Sequence, residues 1–158
     1  MYTDQQLSEH FKLSAFVKSH TAIKLGIDNT PSVEAIAKIK DWAVNIGEKL
    51  WTGHGPVSIN SGYRCLALNN AISGAKKSQH MDGEAADIEI PGHTNIDVAS
   101  WIINNIIDFD QLILENYVRN EPYSGWVHVS FTKSSSPRKS VLTKFWHESA
   151  YHPGLIVK

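Results

Sequence analysis

Ser78-Gln79-His80-Met81-Asp82-Gly83-Glu84-Ala85-Ala86-Asp87 and, further along, Trp126-Val127-His128-Val129-Ser130 are the two stretches on which the fold turns. A His, a carboxylate seven residues on and a second His in a later strand make a three-ligand set for a zinc ion. Three protein ligands leave the fourth tetrahedral position to water, the arrangement of a catalytic rather than a structural site. On one continuous helix His80 and Asp87 would stand about 10 Å apart at 1.5 Å per residue, so sharing an ion requires a loop that leads into a strand. Gly83 supplies the permissive backbone for that loop, and Ala85 and Ala86 leave room beside it.

Working outward, Glu84 to Ile90 reads as a strand ended by Pro91-Gly92. Two more strands, Asp110 to Glu115 and Trp126 to Phe131, can pair antiparallel across the loop containing Pro122 and Gly125. Period-two alternation sends Ala86, Ile88 and Ile90, then Leu112 and Leu114, then Val127, Val129 and Phe131 to a core. Asp87, Glu115 and His128 fall on the opposite faces, and they converge if the three strands are neighbours. Upstream, Val57-Ser58-Ile59-Asn60 reads as a short strand and Ser61-Gly62-Tyr63-Arg64 as the turn that leaves it. A short helix through Leu66 and Leu68 follows.

Two longer helices flank this region. Val33, Ile36, Ile39, Trp42, Ala43, Ile46 and Leu50 recur at three- and four-residue steps behind a cap at Thr30 with Pro31 in the first turn. Asn95 to Ile107 places Ile96, Ala99, Ile102, Ile103 and Ile106 on one face. In the first thirty residues Leu7, Phe11, Leu13, Phe16 and Val17 form a ragged apolar face. Helices first and then a small, mainly antiparallel sheet make the fold class α+β.

At 158 residues, 42% of them hydrophobic, residues 1–158 fit one domain with a single core. A formal net charge of -1 recruits neither nucleic acid nor an anionic membrane. No stretch approaches the roughly 20 apolar residues of a membrane span, and the N-terminus lacks the basic start and apolar run of a secretory signal. The expectation is a chain made in the cytoplasm, without membrane insertion, and monomeric. The lone Cys65 excludes an internal disulfide and a Cys-rich structural zinc site, and a buried, inert thiol is expected there. Of the six remaining histidines, His10 is given a packing role, and His20, His54, His93, His147 and His152 are expected to be exposed.

The pattern S-x-H-x-x-G-x-A-x-D with a W-V-H strand downstream resembles the zinc-ligand motif of the M15 peptidases, the D-alanyl-D-alanine carboxypeptidase and L-alanyl-D-glutamate endopeptidase group, whose metal site is shared with the hedgehog signalling domain. The similarity runs over most of the chain. Glu9-His10-Phe11-Lys12-Leu13-Ser14 resembles the N-terminal segment of the subgroup that includes phage endolysins, Ser61-Gly62-Tyr63-Arg64 its S-G-Y-R turn, and Asp110 to Glu115 with Trp126 to Ser130 its closing hairpin. The resemblance implies His80, Asp87 and His128 as ligands of one Zn2+ and no other cofactor. Some members place the catalytic carboxylate three residues before the second His, where this chain has Gly125, so the base must come from elsewhere. Glu115 is the choice, with Glu121 and Glu89 behind it.

Arg64 fits a residue that grips a substrate carboxylate or polarises its carbonyl, because its planar fork pairs bidentately with carboxylates; its alternative is to bridge loop carbonyls. Ser78 is placed either on substrate or as a turn cap, and Trp126 as a pocket wall. The substrate that the resemblance implies is the peptide stem of peptidoglycan, reached in the periplasm after release or export. Cleavage between L-alanine and D-glutamate, as by an endolysin, leads. A D-alanyl-D-alanine carboxypeptidase and a zinc-containing wall-binding module without turnover are the alternatives.

Overall fold

A computed structural model describes residues 4–158. The N-terminal segment folds as two short helices, α1 (Leu13–Val17) and α2 (His20–Leu25). The long helical run is α3 (Val33–Trp42), a widened π-helical stretch (Ala43–Gly47) and α4 (Glu48–His54), with Gly55 as its C-cap. Its true N-cap is Ser32, whose hydroxyl accepts from the Ala35 amide at 3.1 Å, and not Thr30, whose hydroxyl is taken by Asp28. Then follow β1 (Ser58–Ser61), α5 (Leu66–Ala71), α6 (Gln79–Asp82), β2 (Ala85–Glu89), α7 (Asn95–Asn105), β3 (Gln111–Tyr117), β4 (Trp126–Ser130), β5 (Ser140–Phe145) and β6 (His152–Pro153). The architecture is α+β, as expected.

The strands form one six-stranded sheet in the order β1-β2-β4-β3-β5-β6, antiparallel at every pairing except β3 with β5. The strands expected from sequence end at Phe131, so β5 and β6 are additions. The chain leaves β4 beside the start of β3 and crosses to its far side, where Asp110 holds it. Asp110 is buried and accepts from the Arg138 amide at 2.8 Å and from its guanidinium at 2.7 Å, while its own carbonyl takes the Ser140 amide at 2.9 Å.

Ala86, Ile88, Ile90, Leu112, Val127, Val129 and Phe131 face a core built with Phe11, Phe16, Ile39, Trp42, Ile46 and Leu50 from the helices. The indole of Trp42 donates to the Val129 carbonyl at 3.0 Å, tying the long helix to the site-bearing strand, and its ring meets Phe11 and Phe16 edge-on. On α7 the buried stripe is Val98, Ala99 and Ile102, continued by Ile106. Ile103 lies exposed, one position off the stripe the sequence suggested.

Candidate metal centre and cavity

The stretch around His80 does what the spacing demanded. Ser78 caps α6, its hydroxyl accepting from the His80 amide at 3.3 Å, and Gly83 ends that single turn at φ +77°. A β-carbon on Gly83 would also meet the Ala35 carbonyl oxygen at 2.6 Å, so both conformation and space reserve the position for glycine. The chain then enters β2, where Asp87 pairs directly with His128 on β4 and His128 with Ile113 on β3. The helix turn sets His80 above that row.

His80 Nε2, Asp87 Oδ1 and His128 Nδ1 converge at 3.2, 3.2 and 3.0 Å from one another, and all three side chains are buried. Ligand atoms about 2.0–2.1 Å from a tetrahedral zinc stand about 3.3–3.4 Å apart, so the triangle fits one ion. Proton counting agrees. The Gly62 carbonyl can only accept, so at 2.7 Å it fixes the proton of His80 on Nδ1 and turns the Nε2 lone pair inward. Asp87 adds a second inward lone pair. Only His128 Nδ1 can carry a proton into the triangle, and a cation in its centre would satisfy all three atoms.

The electrostatics point the same way. Burial pushes the His80 imidazole below its ordinary pKa, outweighing the opposing pull of Asp87, so the ring sits in the neutral form that a metal requires. Burial alone would raise the Asp87 carboxyl, but the charge and hydrogen bonds of His80 and His128 prevail and hold it well below the carboxylate range.

The three residues lie in a cavity of about 530 Å³. Its lining comes from the segment between α5 and α6, from β3 and β4, and from β5 and Tyr151. Arg64, Ser78, Glu115 and Trp126 all line it. Arg64 is half-buried, and its Nε has no hydrogen-bond partner among the described residues. Burial lowers the guanidinium pKa, while Asp87 and Glu115 pull it back up, so these charges face one another. Ser78 both caps α6 and lines the cavity. Glu115 lies two residues along β3 from Ile113, opposite Trp126 and beside Lys144 of β5.

The other carboxylates considered as base are elsewhere: Glu89 is held by the Asn60 amide at 2.6 Å, Glu121 is exposed, and neither lines the cavity. Gly125 explains why no carboxylate stands three residues before His128. It has φ +67°, and a β-carbon there would run into the Glu115 carbonyl oxygen.

Three polar residues of this cavity, all beyond Phe131, had no sequence signal. Lys144 and Tyr151 come from the unread C-terminal segment, and the ammonium of Lys144 lies 5.3 Å from the centre of the Tyr151 ring. Burial, followed by the facing Glu115 carboxylate, raises the pKa of the Tyr151 hydroxyl. Arg138, the third, comes from the crossover loop. Only the continued alternation Val141, Thr143, Phe145 could have announced β5.

Other expectations need correcting. Cys65 is half-buried rather than buried, and its sulfur caps α5 by accepting from the Leu68 amide at 3.4 Å. His10 does pack, stacked on Trp51 at 4.4 Å and bonded to Glu48 at 2.7 Å. His54 is half-buried between His93 and Trp101 and His152 is half-buried beside Glu148, so neither is simply exposed. No helix among the described residues is long and apolar enough to cross a membrane.

No curated protein matches the chain. A family model described as Peptidase M15 matches residues 9–130, from the His10 segment through the strand that carries His128. With most of its length matched, and with the buried His-Asp-His group inside the match, the chain belongs to the M15 peptidase family.

Proposed function

We propose that the chain is a zinc-dependent peptidoglycan hydrolase, an endolysin-like endopeptidase that cuts the stem peptide between L-alanine and D-glutamate. The observation that carries this is the triangle of His80 Nε2, Asp87 Oδ1 and His128 Nδ1, with only one proton available to its three inward atoms, on the floor of an open cavity. Zinc held there would act as a Lewis acid on the scissile carbonyl and acidify water at its open position.

The chain's own groups do the rest. Glu115 takes a proton from the attacking water and returns it to the leaving amine. Tyr151 and Lys144, set against Glu115, keep that carboxylate aimed at the cavity. Arg64, with an unpartnered Nε, grips a carboxylate of the D-residue and offsets charge that develops on the carbonyl oxygen. Trp126 presents its ring as a wall, and Ser78 adds a hydroxyl at the rim.

At about 530 Å³, with lining from the α5–α6 segment as well as from β5 and Tyr151, the cavity holds more than a single residue. That favours an endopeptidase over a D-alanyl-D-alanine carboxypeptidase, which needs a blind pocket for one residue. The enzyme acts on the wall from the periplasmic side after release or export. Intact sacculi and a pentapeptide ending in two D-alanines, digested in parallel and read by mass spectrometry, test the proposal. Release of stem peptides that begin at D-glutamate, with L-alanine left on the glycan, is expected. Loss of a single D-alanine without any freed stem would transfer the assignment to the carboxypeptidase, and no cleavage of either would remove the peptidase reading of this substrate.

A further inference from the structure

A second groove, about 520 Å³, adjoins the catalytic cavity and shares Arg64 and Ile72 with it. All four residues of β1, from Ser58 to Ser61, line this groove. Consecutive strand residues point to opposite faces, so four in a row can border one groove only if it runs along the edge of the strand. β1 is an outer strand of the sheet and pairs on one side only, with β2. His20, Thr21 and Ile23 of α2 line it as well. Such a bare edge is a template for another extended chain.

Charge narrows the choice of chain. Lys18, His20 and Arg64 line the groove, and no carboxylate does. A four-residue edge, about 13 Å long at 3.3 Å per residue, accommodates a short extended peptide.

We propose that this groove along β1 binds the part of the substrate that continues past Arg64, an extended peptide segment that carries carboxylates and lies between the β1 edge and α2. The proposal rests on the peptidase reading above and extends it: under that reading the occupant is the stem beyond D-glutamate, whose carboxylates meet Lys18 and His20. Recognition is then set by stem length and terminal charge as well as by the bond cut.

The test uses the full zinc-loaded chain and a Lys18→Glu/His20→Glu double variant, both of whose sites are exposed. Hydrolysis is measured on an acyl-L-alanyl-D-glutamate probe that ends at D-glutamate and on one extended by diaminopimelate and D-alanine. The expected result is a KM raised at least ten-fold for the long probe, with kcat and the short probe unchanged. Equal effects on both probes, or none on either, would overturn the groove. Lys18→Gln/His20→Gln, which should raise the same KM by less, guards against a folding defect.

A second measurement does not need turnover. The tripeptide D-γ-glutamyl-diaminopimelyl-D-alanine is titrated into isotope-labelled protein, and backbone amide shifts are followed. Shifts clustered at Ser58, Ile59, Asn60 and Ser61 that vanish in the double variant support the groove even if the wild type cleaves neither probe, which would count against the peptidase reading alone. Cleavage with no shift there would refute the groove and leave the peptidase reading standing.

Discussion

Replacing Glu115 by Gln tests the assignment of the proton carrier while changing little else. The two side chains have nearly the same shape, and Glu115 is a half-buried residue outside the ligand triangle. Zinc stoichiometry should therefore stay at one per chain. Folding stability should shift by no more than about 1 kcal/mol, the scale of a partly exposed charge interaction, as Arg64 and Lys144 lose a facing anion. The amide oxygen still faces the Tyr151 hydroxyl, so local geometry is retained. What disappears is the ability to take up a proton. General acid–base work contributes about 10²–10⁴ in rate, or about 2.7–5.4 kcal/mol of barrier at 1.36 kcal/mol per decade. The assay is kcat on solubilised stem-peptide substrate, with metal content and urea midpoint measured on the same preparation. A variant that turns over at near wild-type rate with full zinc would refute Glu115 as the base. A variant that loses zinc would show that the residue holds the site together rather than moving protons.

Other outcomes follow from the same geometry. His80→Ala, Asp87→Ala and His128→Ala should each bind less than a tenth of an equivalent of zinc by atomic absorption and lose activity; full occupancy in any one removes that residue from the ligand set. Burial depresses the pKa of His80 and, more exposed, of His54, so the unfolded chain binds more protons just below the ordinary value of about 6.5. Stability of the zinc-stripped protein should therefore fall as pH drops through that range, and the stabilisation from the depressed Asp87 should be lost only in stronger acid; a urea midpoint constant from pH 7 to 5 would contradict this. Trp42→Phe removes the indole donor from the Val129 carbonyl, which keeps its place in the ladder with β2, and should cost about 1 kcal/mol in urea unfolding, whereas an unchanged midpoint would mean the indole hydrogen bond adds nothing.

The centre of the fold was legible because alternation is strict there. A carboxylate at Asp87 and an imidazole at His128, flanked by apolar residues that must go inward, can only meet on the other face of neighbouring strands, and Asp87 pairs directly with His128. Glu115 was placed in the cavity by the same logic. Legibility failed where partners come from far away. The cap at Ser32 was missed because Thr30 and Pro31 mimic a start signal, and only the Asp28 carboxylate, which claims the Thr30 hydroxyl, shows otherwise. β5 pairs in parallel with β3, so no hairpin turn marks it, and the cavity wall it brings with Lys144 and Tyr151 carried no local pattern. The free edge of β1 is a property of strand order, which periodicity does not encode.

The clasp around Asp110 has a mechanical consequence. Gln79, the residue before His80, donates to Asp110 at 3.0 Å, and Arg138 reaches back to the Gln79 amide oxygen at 3.3 Å. The helix turn that carries His80, the foot of β3 and the crossover to β5 are thus fastened at one point. The wall formed by Lys144 and Tyr151 is not a flap hung on a free hinge, because swinging its root would drag on the turn that aims an imidazole. A cleft braced in this way admits its substrate by fit to a standing shape, without waiting for a gate.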